Sequence, residues 1–181
     1  CIAIPCFLAP LVSPYDPNAQ PDIVRLQSVA PSLSHLMGTD PFSRDVFSRL
    51  LYGGRLSLTV AIFATLVSVT IGTGYGAIAG FSKGLTAALL ERILDAFLSI
   101  PRLLLLIAIF AAWREMPLAG FVVMLGITGW YGLARLVRGQ VLALKSQDFI
   151  SSATALGATR ARVLMKHILP NVVTPVIVAA T

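Results

Sequence analysis

The chain has 181 residues, of which 56% are hydrophobic and only 12% charged, and its mean hydropathy is +0.83. Too few charges are present to clothe a water-soluble domain, so lipid is the solvent that fits and the chain reads as a membrane protein or a piece of one. Fourteen Lys and Arg against eight Asp and Glu leave a net charge of +6, and the division of that excess between two sides of a membrane becomes the next question.

Cys1 to Val12 form an apolar run without an initiator Met or a basic lead, which does not read as a signal peptide. Because the chain also stops at Thr181 inside an apolar run, it is expected to be an internal fragment. A lipid-modified Cys1 is disfavoured, since such a residue opens a polar tether and not a further apolar stretch. Cys1 and Cys6 suit neither a disulfide framework nor a metal cage.

The segment 13–55 contains Pro14, Asp16, Pro17, Pro21, Asp22 and Pro31 and reads as irregular. Within it Gly38, Thr39, Asp40, Arg44 and Asp45 read as a turn followed by the start of an amphipathic helix, with Thr39 or Asp40 as N-cap. Structural capping and contact with an outside protein both account for these residues.

Leu56 to Ser82 holds 27 uncharged residues, which as a helix would run about 40 Å, longer than a hydrocarbon core of about 30 Å. Its Gly72, Gly76 and Gly80 recur every four residues on one face, where another backbone can approach closely. A second span is expected at about 89–113, interrupted by Asp95, Pro101 and Arg102, and a third at 116–134. Asp95 and Arg102 are two helical turns apart and should share a face turned away from lipid, unless Asp95 sits at the membrane boundary. Pro101 is expected to bend the helix, with Ser99 or a neighbour satisfying the freed carbonyl. Trp113, Trp130 and Tyr131 suit interfacial positions. His35 and His167 are isolated, and neither is assigned a metal.

Crossing at each apolar segment puts 13–55 and the Arg114–Glu115 turn on one side with five basic and five acidic residues. The other side receives the turn 83–92 and the stretch 135–171, with eight basic and two acidic residues. The lean in Lys and Arg places the second side in the cytoplasm.

Between the third span and the terminal apolar run, Gly139 to Pro170 is too polar to cross lipid and too patterned for a slack linker. Phe149, Ile150, Ala153 and Leu156 recur at helical spacing, with Ser146 as N-cap and Asp148 in the first turn. Gly157 offers a left-handed turn. A second helix is expected from Thr159, with Val163, Leu164, His167 and Ile168 on one face, ending at Pro170. The result is a helical hairpin held close to the membrane; an interfacial helix merely resting on the bilayer has the same pattern. Arg160, Arg162 and Lys166 would lie near anionic headgroups or a partner's acidic surface.

The run 148–171, Asp-Phe-Ile-Ser-Ser-Ala-Thr-Ala-Leu-Gly-Ala-Thr-Arg-Ala-Arg-Val-Leu-Met-Lys-His-Ile-Leu-Pro-Asn, resembles the EAA loop of ABC-importer permeases. Gly157, Leu169 and Pro170 fall in register with that pattern, whereas Ser151, Ser152 and Ala153 stand where the family has Glu-Ala-Ala. The run 37–58, Met-Gly-Thr-Asp-Pro-Phe-Ser-Arg-Asp-Val-Phe-Ser-Arg-Leu-Leu-Tyr-Gly-Gly-Arg-Leu-Ser-Leu, and Leu-Ser-Ile-Pro at 98–101 are similar to the dipeptide, oligopeptide and nickel branch. The resemblance covers about residues 36–175.

It implies an all-α polytopic membrane fold, the type I ABC-importer transmembrane domain, with six spans of which five are at least partly present. The first region would be 1–54, the end of one span with its outer loop. The transmembrane domain would be 55–181, with spans near 56–82, 89–113, 116–134 and 172–181 and a cytoplasmic coupling loop at 139–170. It further implies a non-catalytic permease subunit of the bacterial inner membrane for short peptides or a related small solute. Expected partners are cytoplasmic ATPase subunits, which hold the ATP and Mg, a second permease subunit and an extracytoplasmic binding protein. Ser151, Ser152, Ala153, Ala155, Leu156, Gly157, Ala158, Leu169 and Pro170 would make the ATPase coupling, and the absent Glu removes an acidic contact. Asp95, Pro101 and Arg102 are the candidates for the translocation path, Arg102 meeting a substrate carboxylate or an acidic group of the second permease.

The chain carries no Gly-x-x-x-x-Gly-Lys-Ser/Thr phosphate loop, no hydrolytic motif and no nucleic-acid signature, so no cofactor is expected in it. Two other readings exist. An ion-driven secondary transporter would need an ion site at mid-depth, for which Asp95 beside the Pro101 break is the candidate. A membrane scaffold would use the hairpin only to recruit a cytoplasmic partner.

Overall fold

The computed structural model describes residues 3–113 and 115–180, so the expectations touching Cys1, Ile2, Arg114 and Thr181 lie outside the described residues. Two compact units are present, Cys1–Ile62 and Phe63–Thr181. Among the described residues the regular structure is helical throughout, with a single isolated bridge between Thr39 and Asp45.

In the first unit, α1 (Ala3–Phe7) and α2 (Ala9–Val12) place Cys6 and Ala9 against Leu51 of helix α3 (Val46–Phe81). The close approach depends on Gly54, where a Cβ would lie 2.5 Å from Cys6 Sγ. Helix α3 begins ten residues before the expected span, and its N-cap is Asp45 instead of Thr39 or Asp40. Asp45 Oδ2 accepts the Ser48 N–H and hydroxyl, each at 2.7 Å, satisfying a donor that the helix start leaves unpaired. Asp40 is used one step earlier, accepting from the Phe42 and Arg44 N–H groups at 2.8 and 2.9 Å to close the preceding turn.

In the second unit α3 continues to Phe81. Helix α4 (Gly84–Ser99) and helix α5 (Arg102–Ala112) then meet at 72°, so the expected single bent helix is a broken one. Proline forces its predecessor out of the helical region, and Ile100 is extended at φ −87°, ψ 120°. The break separates Asp95 and Arg102 into different helices, which removes the shared face that a continuous spacing implied.

Helix α6 (Leu118–Ile127) joins helix α7 (Trp130–Lys145) through Thr128 and Gly129, and together they form a stretch of 28 residues long and apolar enough to cross a membrane. The helix that carries the third expected span therefore runs on past Ala134 to Lys145, and Arg135 and Arg138 lie on it. Glu91 and Arg92 are likewise helical, in α4. The apolar run that identified this span simply continues as an amphipathic helix whose charges face other helices.

Helix α8 (Asp148–Ala155) and helix α9 (Arg160–Ala180) complete the unit. Gln147 occupies the N-cap of α8, while Ser146 ends α7 and donates its hydroxyl to the Ala143 carbonyl at 2.9 Å. Pro170 does not end the second arm, because Val163–Ile168 is π-helical and the Leu169 N–H reaches back five residues to Leu164 O. The wider turn loosens the ladder where a proline lacks its N–H and crowds the carbonyl behind it. Asn171 Nδ2 donates to His167 O at 2.6 Å, satisfying a further carbonyl there. The hairpin's second arm and the terminal apolar run are thus one helix of 21 residues.

Packing in this unit centres on two clusters. Ala77, Val137, Val141, Ile150, Val163, Ile168, Val172 and Val176 tie α3, α7, α8 and α9 together. Leu94, Trp130 and Ala134 join α4 to α7. Trp130 is only 7% exposed, ringed by Tyr75 at 4.8 Å, Phe97 at 5.5 Å and Tyr131 at 6.3 Å, so with Tyr131 it belongs to the core instead of an interfacial belt. Trp113 is exposed, as an interfacial residue would be. Apolar side chains such as Leu103, Leu104 and Ile107 of α5 and Ile177 of α9 are exposed, which a lipid or protein surround accommodates at no hydration cost.

Candidate functional site

The glycine face of α3 meets α7. A Cβ at Gly72 would lie 2.8 Å from Trp130 O, one at Gly76 2.5 Å from Ala134 O, and one at Gly80 2.8 Å from Val141 Cβ. Three glycines at four-residue intervals let the two backbones touch along three turns, the close approach that drives association where no hydrophobic effect operates. This contact is the frame for everything on the hairpin.

At the foot of that frame, α8 ends in a left-handed turn at Gly157, φ +85°. The Ala158 N–H bonds Ala153 O at 3.1 Å and the Gly157 N–H bonds Thr154 O at 3.0 Å, a paired closure that uses up the carbonyls of the last turn. Thr159 caps the next helix by accepting from the Arg162 N–H. Ile150 and Val163 are buried in the cluster that holds α3, α7 and α9, which packs both arms of the hairpin against those helices.

Of the residues expected to couple, Ser151, Ser152, Ala155, Leu156 and Gly157 are exposed and Ala153 and Ala158 half-buried. Leu156 is 89% exposed at the tip. With Phe149 also exposed, only Ile150 and Ala153 of the expected apolar face point inward; α8 is one of two arms packed by a single buried corner, so half its apolar stripe is left outside. Leu169 and Pro170 lie well along α9, beyond the π-helical stretch, and not at the tip.

Arg102 opens α5 and lines a cavity of about 350 Å³ with Ala64, Thr65, Ser68, Leu125 and Gly129. Its Nη2 donates to Leu125 O at 3.1 Å. A Cβ at Gly129 would lie 3.2 Å from that nitrogen and 2.7 Å from Ser68 Oγ, so the absent side chain there makes room for the guanidinium. Among the described residues no carboxylate lies within ion-pair distance of Arg102. Ser68 Oγ donates to Gly126 O at 2.8 Å, fixing the joint between α6 and α7 beside the cavity.

Asp95 has a different place: its carboxylate takes a hydrogen bond from Arg135 Nη2, and one turn away Arg138 Nη2 meets Glu91 Oε2 at 2.9 Å. These two pairs rivet α4 to α7. The ion-driven reading therefore finds its candidate carboxylate already held by a guanidinium. Nothing in the sequence spacing could have revealed the pairing, since Asp95 and Arg135 are 40 positions apart.

In the first unit the motif Gly38, Thr39, Asp40, Arg44 and Asp45 closes on itself. Gly38 takes φ +72° and its carbonyl accepts from the Val46 N–H at 3.1 Å. Thr39 Oγ1 accepts from the Val29 N–H at 2.9 Å and donates to Leu26 O. Arg44 Nε donates to Asp40 Oδ2 at 2.7 Å. His35, expected to be isolated, bonds Asp45 Oδ1 through Nδ1 at 3.0 Å and stacks on Tyr15 at 4.9 Å. Burial pushes the Asp45 carboxyl up, but hydrogen bonds from Ser48 and the contact with His35 outweigh it and hold the carboxyl below its ordinary value.

A multi-pass helical membrane protein with a glycine-hinged hairpin packed under its spans is the class that this fold and site define. Residues 72–181 match the binding-protein-dependent transport system inner membrane component family, and the chain belongs to that family. It is 36% identical over 174 residues to the dipeptide transport system permease protein of Bacillus subtilis, covering 96% of this chain and 53% of the relative. It is 40% identical over 158 residues to the oligopeptide transport system permease protein of Haemophilus influenzae, covering 86% of this chain and 50% of the relative. It is 40% identical over 172 residues to the glutathione transport system permease protein of Pectobacterium atrosepticum, covering 95% and 56% respectively. The chain thus spans about half the length of the curated relatives it matches, which are transport system permease proteins.

Proposed function

We propose that this chain is the membrane path and coupling element of a permease subunit in an ATP-driven importer of short peptides or a related small solute. The observation that carries the reading is the hairpin: an exposed turn at Leu156 and Gly157 whose arms share one packed cluster with three spans. In this reading a cytoplasmic ATPase subunit grips the turn, and ATP with Mg is held and hydrolysed there and not in this chain. Closure of the ATPase pair moves α8, and the shared cluster passes the displacement to α3, α7 and α9. A second permease subunit completes the path, and an extracytoplasmic binding protein delivers the solute. The protein sits in the bacterial inner membrane, with the tip of the hairpin, 146–159, on the cytoplasmic side and the loop 13–45 outside.

Arg102 lines the path, where its guanidinium, free of any described carboxylate, meets an anionic group of the solute or of the second permease. The Pro101 break supports this, since it turns the start of α5 toward the cavity. Asp95, paired with Arg135, serves as a tie between helices in this reading.

The test is Gly157→Val in the full-length permease assembled with its partners. Valine at φ +85° is strained whatever space surrounds it, so the turn is displaced while the packed arms remain. ATP hydrolysis then continues without matching uptake. Normal uptake per ATP by that variant refutes the coupling role. Sidedness is read separately: a cysteine at Leu33, which is 100% exposed, is labelled by an impermeant maleimide in intact cells, and one at Leu156 is not.

A further inference from the structure

A cavity of about 380 Å³ lies between the end of α3, the end of α7 and the hairpin. Three cations, Lys83, Lys145 and Arg160, line it together with Ser151 and Thr154, and no Asp or Glu does; the Thr154 hydroxyl donates to the Ile150 carbonyl at 2.8 Å. Among the described residues none of the three cations is ion-paired. Lys145 Nζ donates to the carbonyls of Gly80, Phe81 and Ser82 at 3.4, 3.2 and 3.3 Å and lies over the Phe81 ring at 5.5 Å, so it closes the end of α3 and leaves Lys83 and Arg160 as the cations open to a ligand. Lys83 and Arg160 are exposed and the cavity wall offers them no carboxylate, so an anion is the ligand its charge favours.

Depth decides what kind of anion. The three stretches able to cross a membrane end at Phe81, end at Lys145 and begin at Arg160. The cations therefore sit together at one end of these stretches, and Phe81, Ile150 and Val163 supply apolar wall beside them. A free phosphate and a lipid phosphate share the chemistry that the cations Lys83 and Arg160 recognise, but the place at the helix ends and the apolar wall favour the lipid.

We infer that this cavity binds the phosphate of an anionic lipid headgroup, which bridges the hairpin to the ends of α3 and α7. The inference concerns lipid and is independent of which solute is carried. A bound headgroup touches residues of α8 and α9 on one wall and of α3 and α7 on the other, so it stiffens the joint through which the hairpin moves.

The experiment uses the full-length permease in its transporter complex, exchanged into phosphatidylcholine nanodiscs with and without phosphatidylglycerol, with bound lipid counted by native mass spectrometry. Wild type retains phosphatidylglycerol in preference to phosphatidylcholine. Lys83→Gln combined with Arg160→Gln weakens that retention about thirtyfold, from roughly fivefold for each cation near a headgroup. Arg162→Gln combined with Lys166→Gln, exposed cations of the same helix outside the cavity, leaves it within about twofold. Equal losses in the two double variants, or none in either, overturn the inference, as does displacement of the lipid by millimolar inorganic phosphate. Each variant is first required to melt like wild type in pure phosphatidylcholine. If the double variant does not, Lys83→Gln alone carries the test with an expected loss of about fivefold.

Discussion

Replacing Gly76 with alanine adds one methyl group at the tightest point of the α3–α7 contact. The new Cβ would lie 2.5 Å from Ala134 O, 2.7 Å from Val137 Cβ and 2.9 Å from Val137 Cγ1. Ordinary contacts of this kind need about 3.4 to 4 Å, so the helices must separate by about 1 Å. Gly72 and Gly80 pin the same helix one turn to either side, which prevents a local tilt and forces the whole seam to open. Over-packing of this kind costs about 1 to 3 kcal/mol, against a gain of up to about 1 kcal/mol from exchanging glycine for alanine in a helix. A net loss of about 1 to 2 kcal/mol follows, a roughly five- to thirtyfold fall in the folded-to-unfolded ratio. Gly74 is the matched control, two residues away on the same helix with nothing within 4 Å of a Cβ; there alanine is neutral or stabilising. Equilibrium unfolding of the full-length permease in mixed micelles measures both. If Gly76→Ala proves as stable as Gly74→Ala, the helices do not pack as described.

Other expectations follow from the ion pairs and the outer loop. Asp95→Asn leaves Arg135 without its carboxylate and lowers the amount of permease in the membrane on immunoblots, whereas adding Arg135→Gln restores it; equal levels in all three would show that the pair ties nothing together. Arg102→Leu preserves the membrane level but reduces uptake at least tenfold, the effect of losing one charge-assisted contact of about 1.5 to 3 kcal/mol, and wild-type uptake would remove Arg102 from the path. The Asp45 carboxyl is held low in the folded loop, so its contribution is complete above about pH 4, the unfolded value, and is lost as the pH falls through the lower folded value. Asp45→Asn should expose the 22–45 loop to protease at neutral pH and flatten the acid dependence of its cleavage below about pH 4, measured against wild type.

Much of the site could be read before any coordinates. Gly157 was identifiable because a glycine closing a helical run and followed by a capping Thr159 has one low-strain use, and the φ of +85° with both closing bonds is that use. The small-residue face of α3 was legible for a similar reason: glycine every fourth residue has no function on a lipid-facing surface. The outer motif was read as capping, but the wrong member was chosen, since Thr39, Asp40 and Asp45 all have side chains able to cap and only the chain path shows which one stands over free N–H groups.

Pro101 and Pro170 show where sequence reading stops. Both impose the same local restriction, yet one separates two helices at 72° and the other lies inside a continuous one, because a π-helical stretch before Pro170 gives slack that Ile100 lacks. Val163 and Ile168, the two ends of that stretch, are buried in one cluster with Val137 and Val141 of α7, residues distant from them in the chain. The same holds for Asp95 and Arg135, for Trp130 at the centre of three helices' aromatic packing, and for three cations gathered round one cavity. Composition, hydropathy and local stereochemistry by themselves determined that the chain is helical, embedded in lipid and turned at Gly157, since those properties act within a turn or two of helix. Only the tertiary structure decided which helices touch and which charges meet, because such pairings are fixed by shape complementarity across the bundle and leave no period in the sequence.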